Sequence, residues 1–265
     1  MEPVTWMPKL EAELRRLGAF QLQGFHDLRP ENVRVKDAGP DPSVVTRYDI
    51  ESEGMLRDFV RRDFPGHSFL GEEGGNDVRD PAHYWLADPI DGTTNFTLGI
   101  PLWGASLGYW RDGEPQLGLI YFPCFERMFT AWRGGGAHLN GARIRTSAER
   151  EYTMLNAVAL HSRTHLSHTL HLRTKARILG SVVANMCYTA MGSFMACHAR
   201  AHIWDLGAGT LILEEAGAVV ECAPDLRSFD LTTHRRGLPS ITLFARANAH
   251  LPPLADFLRP LAPSR

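Results

Sequence analysis

The feature that most constrains this chain is the segment 85–94, in which an apolar run leads into two carboxylates and a glycine. Pro89 disfavours helical geometry at the residue before it, so we expect Asp88 to end an extended strand. Asp91 and Gly92 then fall in a turn, where glycine lets the backbone approach a ligand closely. The segment therefore predicts a strand that brings two acidic side chains to one point.

These residues have a chemistry in common. Asp88, Asp91 and the Ile90 carbonyl oxygen are ligands of the kind that hard divalent cations prefer. If a helix begins at Gly92, the amides up to Thr94 point towards an anion. Metal and phosphate would then meet at one place. The same residues also fit a strand that ends in an Asx-type turn, since Asp, Gly and Thr are ordinary turn residues.

The string from Trp85 to Phe96 resembles the central signature of the inositol monophosphatase family, whose members are magnesium-dependent, lithium-sensitive phosphatases. Three further segments match the family pattern in the right order, and they contain Asp49, Glu72 and Asp205. Taken alone, the Gly-Glu-Glu around Glu72 is typical of a solvated loop, and Asp49 and Asp205 are typical of helix caps. Four ordered matches favour the resemblance over coincidence.

The resemblance implies an α+β fold, a layered α/β/α/β/α sandwich of the inositol monophosphatase and fructose-1,6-bisphosphatase type. It also implies two or three Mg²⁺ ions between the two halves of the molecule. The metal ligands that it implies are Glu72, Asp88, the Ile90 carbonyl, Asp91 and Asp205.

The resemblance assigns catalysis to three residues. Thr93 is expected to orient the attacking water and pass its proton towards Asp49, with Glu72 acting through the metal. The implied substrate-binding residues are Gly92, Thr93, Thr94, Gly180, Ser181, Val182, His198 and Asp205. Two of these depart from the family: Val182 stands in place of Ala, and His198 in place of a Glu that binds substrate hydroxyls. We therefore expect weaker recognition of a ring diol.

Composition excludes several classes of protein. The 265 residues are 44% hydrophobic and 22% charged, with a net charge of −2, as in an ordinary globular protein. No overall field attracts nucleic acid or an anionic membrane. No apolar run spans a bilayer, and charges among the first residues exclude a secretory signal. Four scattered cysteines predict reduced thiols in a cytoplasmic protein.

The apolar pattern divides the chain into two halves that pack as one catalytic unit. Residues 1–147 are predicted to form two helices, over 7–25 and 49–64, and an antiparallel sheet that carries most metal ligands. A loop is expected over 29–43. Residues 148–265 are predicted to form an α/β half that carries Asp205, with helices over 162–176, 181–196 and 205–216.

Two other motifs invite a functional interpretation. Gly134-Gly135-Gly136 lacks the Lys and Ser/Thr of a phosphate loop and is interpreted as a hairpin turn. His161, His165, His168 and His171 would share one face of a helix. That stripe could bind a transition metal, but the solvated face of a helix is favoured, because no carboxylate or cysteine lies nearby.

The sequence thus predicts a magnesium-dependent phosphomonoesterase that acts on a small polyol or sugar phosphate. The alternatives are a related phosphatase for histidinol phosphate, fructose 1,6-bisphosphate or a nucleotide 3′-phosphate, and a metal-binding regulatory homologue without activity. The predicted partner is a small phosphorylated metabolite, with no nucleic acid and no membrane. A second copy of the chain is the predicted protein partner, and the pair would form a homodimer.

Overall fold

A computed structural model describes residues 2–36, 43–74, 76–228 and 240–261. Two long helices come first. Leu10, Leu14 and Leu17 line one buried face of the first, as their spacing predicts. A capping box between Thr46 and Asp49 starts the second. The helices are α1 Met7–His26, α2 Arg47–Asp63, α3 Thr93–Thr97, α4 Thr164–Ser167, α5 Val182–Ala190 and α6 Ile203–Ala216.

Most strands of the first half of the chain form an eight-stranded sheet. These strands are β3 Ser68–Gly71, β4 Asn76–Asp77, β5 His83–Asp91, β6 Gly104–Arg111, β7 Glu114–Phe122, β8 Arg127–Trp132, β9 Gly136–Leu139 and β10 Ala142–Ile144, and a separate ribbon contains β1 Val33–Val35 and β2 Val44–Thr46. The sheet order is β10-β9-β8-β7-β6-β5-β3-β4. The strands from β5 to β10 form the predicted antiparallel meander, while β3 pairs with β5 in parallel.

The second half of the chain forms a five-stranded sheet in the order β13-β11-β14-β16-β15. Its strands are β11 Ala157–Ala159, β13 Lys175–Arg177, β14 Ala196–Ala201, β15 Val219–Ala223 and β16 Ile241–Arg246, and a small ribbon pairs β12 His168–Leu170 with β17 Leu258–Pro260. β13, β11 and β14 run parallel to one another, so their carboxyl ends meet at one edge.

The helices and sheets are stacked in layers. One apolar cluster joins α1 and α2 to one face of the large sheet. A second cluster joins the opposite face to α5 and α6, and continues into the smaller sheet. The far side of the smaller sheet is covered by short elements, including the turn Leu254–Phe257. This is the predicted α/β/α/β/α sandwich, with a thin outermost layer.

One predicted helix of the second half is wrong, and another is shorter than predicted. The segment 162–176 contains only the single turn α4 and then strands β12 and β13, because pairing with β17 and β11 satisfies its backbone. The helix predicted over 181–196 ends at Ala190, since Gly192 adopts a positive φ of 82° and the chain then enters β14.

The predicted loop over 29–43 contains β1, and its residues 37–42 lie outside the described part of the chain. All four cysteines are unpaired thiols, of which Cys187 and Cys197 are buried. No helix in the described part of the chain is both long and apolar enough to cross a membrane.

Candidate active site

Strand β5 carries both carboxylates of the central segment and continues past the position where we expected it to end. Its register against β6 shifts between Asp88 and Asp91, so that Asp88 faces Ser106 and Asp91 faces Gly104. Within this irregularity, the Ile90 amide donates to Asp88 Oδ1 at 3.0 Å. The Asx-type turn is therefore present inside the strand, and it directs the two carboxylates into one cavity.

Three carboxylates from separate elements converge beside this turn. Ligand oxygens of Glu72, Asp88 and Asp205 lie within 4.8 Å of one another. Glu72 follows β3, and Asp205 lies in the first turn of α6, where it accepts from the His202 amide at 2.7 Å. His202, not Asp205, is the cap residue of α6.

The electrostatics of this cluster favour a bound cation. Burial raises the pKa of Asp88 well above its ordinary value, and the negative charge of Glu72 adds to the effect. The pKa of Asp205 is raised for the same two reasons. Carboxylates that repel one another in a buried site are stabilised by a hard cation, and an all-oxygen donor set fits Mg²⁺.

Asp91 is bound at the N-terminus of α5. Its carboxylate accepts hydrogen bonds from the Val182 and Val183 amides, each at 3.1 Å, and from the Ser181 hydroxyl. Burial raises the pKa of Asp91 to about 6, although these three donors favour the charged form. Helix α5 thus fixes the orientation of Asp91 from the second half of the chain.

Thr93 and Asp49 form a hydrogen-bonded pair beside the cluster. Thr93 Oγ1 lies 3.0 Å from Asp49 Oδ1 and 3.1 Å from the Ile90 carbonyl oxygen. The other oxygen of Asp49 accepts from the Thr46 amide at 2.8 Å. Asp49 is the third residue of α2 and not its cap. Burial raises the pKa of Asp49 to about 6, so this carboxyl can gain or lose a proton near neutrality.

A cavity of about 200 Å³ brings most of these groups together. Gly92 has a φ of 94°, which turns the chain from β5 into α3. The lining residues are Ser43, Val44, Glu72, Asp88, Ile90, Asp91, Gly92, Thr93, Thr94, Gly180 and Asp205.

The sequence as a whole matches proteins of a known family. A sequence model of the inositol monophosphatase family covers residues 9–249. The chain belongs to this family.

Among its relatives is a fructose-1,6-bisphosphatase/inositol-1-monophosphatase from Thermotoga maritima, which is 35% identical over 216 residues, or 78% of this chain and 80% of the relative. An inositol-1-monophosphatase from Rhizobium meliloti is 34% identical over 71% of this chain and 74% of the relative. The crystal structure of the extragenic suppressor protein SuhB from Bartonella henselae superposes with a TM-score of 0.78 at 26% identity, covering 93% of this chain and 95% of that one. The chain is thus a member of a family of phosphoric monoester hydrolases.

Other residues assigned from the family resemblance lie outside the cavity lining. Ser181 and Val182 bind Asp91 through their hydroxyl and amide, so they contact the site through that carboxylate. His198 lies in β14 and stacks on Phe244 at 4.8 Å. Its Nδ1 is 3.1 Å from Thr164 Oγ1, and burial lowers its pKa to about 4.

Lys36 lies at the site, although it was left out of the predicted site residues. Its Nζ lies 2.9 Å from Glu72 and 2.8 Å from Glu73, and only 28% of its side chain is exposed. Burial opposes its charge, but the two glutamates raise the pKa of Lys36 above its ordinary value. The resemblance offered Lys36 as a match to a lysine of the family, but the residues Gly39, Pro40, Asp41 and Pro42 that follow made the alignment difficult, so Lys36 was not included in the predicted site.

Glu53 was also missed, because its partners are distant in sequence. This carboxylate of α2 is almost fully buried and accepts from the Glu73 amide at 2.6 Å and the Gly74 amide at 2.5 Å. Arg57 donates to it at 2.5 Å. Glu53 therefore holds the turn that presents Glu72.

The two remaining motifs have structural roles. The turn at Gly134–Gly136 joins β8 to β9 as predicted, and its amides at Gly134 and Gly136 donate to Glu215 at 2.7 Å. The histidine stripe does not form, because His168 lies in β12 and only His165 lies within α4. Within the described residues, the cluster of Glu72, Asp88 and Asp205 is the one group of three or more converging metal-ligand side chains.

Proposed function

We propose that the chain is a magnesium-dependent phosphomonoesterase that hydrolyses a small polyol or sugar phosphate. The observation that supports this most strongly is a single cavity lined by the carboxylate cluster and by Thr93, which is hydrogen-bonded to Asp49. A cation site and a proton acceptor are the two elements that hydrolysis of a phosphate ester by water requires.

Glu72, Asp88, the Ile90 carbonyl, Asp91 and Asp205 would hold two or three Mg²⁺ ions. When bound, the ions would lower the pKa of a water molecule and neutralise charge on the leaving oxygen. The protein's part is to fix the ligands. Asp91 is fixed by α5, Asp205 by the His202 amide, and Glu72 by the turn that Glu53 holds.

Thr93 would direct the attacking water. Its one hydroxyl proton can be donated to Asp49, which leaves an oxygen lone pair to accept a hydrogen bond from water. As the water attacks phosphorus, one of its protons would pass through Thr93 to Asp49. The bond between phosphorus and the ester oxygen would break, and that oxygen would take up a proton from solvent to become the hydroxyl of the product. Gly92, Thr93 and Thr94 line the cavity at the start of α3, and their amides would hold the non-bridging oxygens.

The relatives favour a small phosphorylated substrate. Those from Rhizobium meliloti and Bos taurus are named as inositol monophosphatases. Those from Thermotoga maritima and Aquifex aeolicus are named also as fructose-1,6-bisphosphatases, which supports fructose 1,6-bisphosphate as a second candidate. A cavity of about 200 Å³ suits a compact ester better than a polymer.

We also propose that the halves 1–147 and 148–265 act as one catalytic unit in a cytoplasmic homodimer. The cavity takes lining residues from both halves. Asn95 joins them by donating to the Leu102 and Leu179 carbonyls at 2.7 and 2.8 Å. Beside this junction Leu98 and Ile178 are 68% and 49% exposed, and a second copy of the chain would cover such apolar side chains.

Turnover and metal binding together test the proposed function. The purified chain should release phosphate from inositol 1-phosphate or fructose 1,6-bisphosphate with Mg²⁺ and lose this activity in a chelator. Asp88→Asn should lower kcat by about a hundredfold or more, because a neutral amide is a poor cation ligand. Calorimetric binding of Mg²⁺ and phosphate without turnover of any ester would instead identify a regulatory homologue.

A further inference from the structure

Part of the second half of the chain contains basic residues and no acidic ones. Between Glu151 and Asp205 the sequence contains no Asp or Glu. We call this stretch, residues 152–204, the basic segment. Its cationic side chains are Arg163, Arg173, Lys175, Arg177 and Arg200, and it also contains six of the 12 histidines, namely His161, His165, His168, His171, His198 and His202. Because the whole chain has a net charge of −2, this is a local concentration of positive charge.

The sheet topology places part of the basic segment beside the cavity. β11 lies between β13 and β14, and the three strands are parallel. Gly180 follows β13 and Asp205 follows β14, and both line the cavity. The loop that follows β11 begins at Leu160 and must emerge at the same edge, between them. Ligands of open sheets bind at such an edge, outside the carboxyl ends of parallel strands.

Three side chains at this edge lie close together. The rings of His161 and His198 are 6.2 Å apart, and His198 is fixed by Thr164 and Phe244. Arg200 lies two residues beyond His198 on β14, so it projects from the same face of the strand. Burial lowers the pKa of His161, and the positive charge of Arg200 lowers it further. Among the described residues no carboxylate pairs with Arg200.

We propose that His161 and Arg200 form a subsite for a second anionic group of the substrate, a phosphate or a carboxylate beyond the phosphate that is hydrolysed. The inference rests on the proposed function and narrows its substrate class. A guanidinium binds an anion through two parallel N–H groups, and a neutral imidazole can donate one more hydrogen bond. Hydrogen-bond donors of this kind suit an anionic group better than the hydroxyls of an uncharged polyol, which a carboxylate acceptor would bind more strongly. His198 acts as a positioning residue that holds the His161 ring.

Matched pairs of esters test the subsite. Fructose 1-phosphate is compared with fructose 1,6-bisphosphate, and glycerol 3-phosphate with 3-phosphoglycerate, so that the members of each pair differ chiefly in the second anion. We expect the more anionic member of at least one pair to have a kcat/KM about tenfold higher, mainly through a lower KM, as for one charge-assisted hydrogen bond. A preference in the fructose pair would identify the second group as a phosphate, and a preference in the glycerol pair would identify it as a carboxylate.

Variants distinguish binding at this subsite from a general effect of the protein's positive charge on anionic substrates. Arg200→Gln should reduce the preference about tenfold. Arg200→Lys should retain only part of it, because an ammonium group keeps the charge without the two parallel N–H groups. Arg111→Gln, which removes an exposed arginine at the end of β6, is the control and should leave the preference unchanged. Equal kcat/KM within both pairs, or a preference that survives Arg200→Gln, would overturn the inference while leaving a phosphatase. Absence of turnover with these four esters and with inositol 1-phosphate would overturn the proposed function and the inference with it.

Discussion

Asp88 and Asp91 lie three residues apart on one strand, yet their carboxylates have different surroundings. Asp91 accepts three hydrogen bonds from the start of α5. Asp88 accepts from the Ile90 amide and otherwise faces the charges of Glu72 and Asp205. One carboxylate is therefore satisfied by the protein, and the other is crowded by like charge. The same substitution at the two positions should have different effects on stability.

We predict that Asp91→Asn lowers the free energy of unfolding, while Asp88→Asn does not in metal-free buffer. An amide at Asp91 turns an NH₂ group towards backbone donors and loses about 1.5–3 kcal/mol per charged hydrogen bond. An amide at Asp88 removes repulsion. Urea unfolding at neutral pH in the presence of a chelator measures both. Each variant should also lose about a hundredfold or more in kcat with Mg²⁺. Equal destabilisation by the two would contradict this assignment.

A second prediction concerns the hydroxyl oxygen of Thr93 and its contribution to kcat. Thr93→Val keeps the shape of the side chain and removes the hydroxyl that lies 3.0 Å from Asp49. We expect kcat to fall by about 10²–10⁴, the range for general-base assistance, with little change in Mg²⁺ affinity. Thr93→Ser is the matched control, because it retains the hydroxyl and should retain most of the activity. If the Ser variant lost as much activity as the Val variant, the hydroxyl would not be the operative group.

Elements that bury one face by local pattern were predicted well from the sequence. The spacing of Leu10, Leu14 and Leu17 predicts α1 to within a residue of its observed end. α6 ends at Ala216 as predicted, before Gly217 with its φ of 101°. The helix predicted over 162–176 is wrong because the strands of this segment pair with β11 and β17, which come from distant parts of the chain. The same reason explains why Glu53 was missed, since its partners at Glu73 and Gly74 are distant in sequence. Sequence motifs identified the carboxylates of the metal-ligand cluster, but only the tertiary contacts show which residues fix their positions.

Helix α2 is connected to the cluster by Glu53, which binds the amides after Glu72. We predict that Glu53→Gln raises the Mg²⁺ concentration needed for half-maximal activity several-fold, because a neutral side chain with one acceptor oxygen holds the turn less firmly. Activity measured over a Mg²⁺ titration tests this. Glu13→Gln is a matched control, since Glu13 is a buried helical glutamate paired with Arg16. It should lower stability without changing the Mg²⁺ requirement, and an unchanged requirement in Glu53→Gln would contradict the role of Glu53.

Across the whole molecule, α6 is the element that joins the two halves at the site. It carries Asp205 in its first turn and packs its backbone directly onto β6 and β7. A Cβ at Gly118 would lie 2.5 Å from the Ala208 carbonyl oxygen, and one at Gly108 would lie 2.9 Å from the Gly207 carbonyl carbon. Trp110 Nε1 also donates to the Gly207 carbonyl at 3.1 Å. Glycines in the sheet thus set how closely Asp205 approaches Asp88.

We predict that Gly118→Ala displaces α6 and weakens the metal site. The added methyl group meets helix backbone that cannot move alone, and such overpacking costs about 1–3 kcal/mol. The melting temperature should fall, and the Mg²⁺ concentration for half-maximal activity should rise several-fold because Asp205 moves with its helix. Gly54→Ala is the control: it has no atom within 4 Å of its added Cβ and gains about 1 kcal/mol in helix propensity. A Gly118→Ala protein that melts lower but keeps its Mg²⁺ requirement would show that the docking of α6 does not position Asp205.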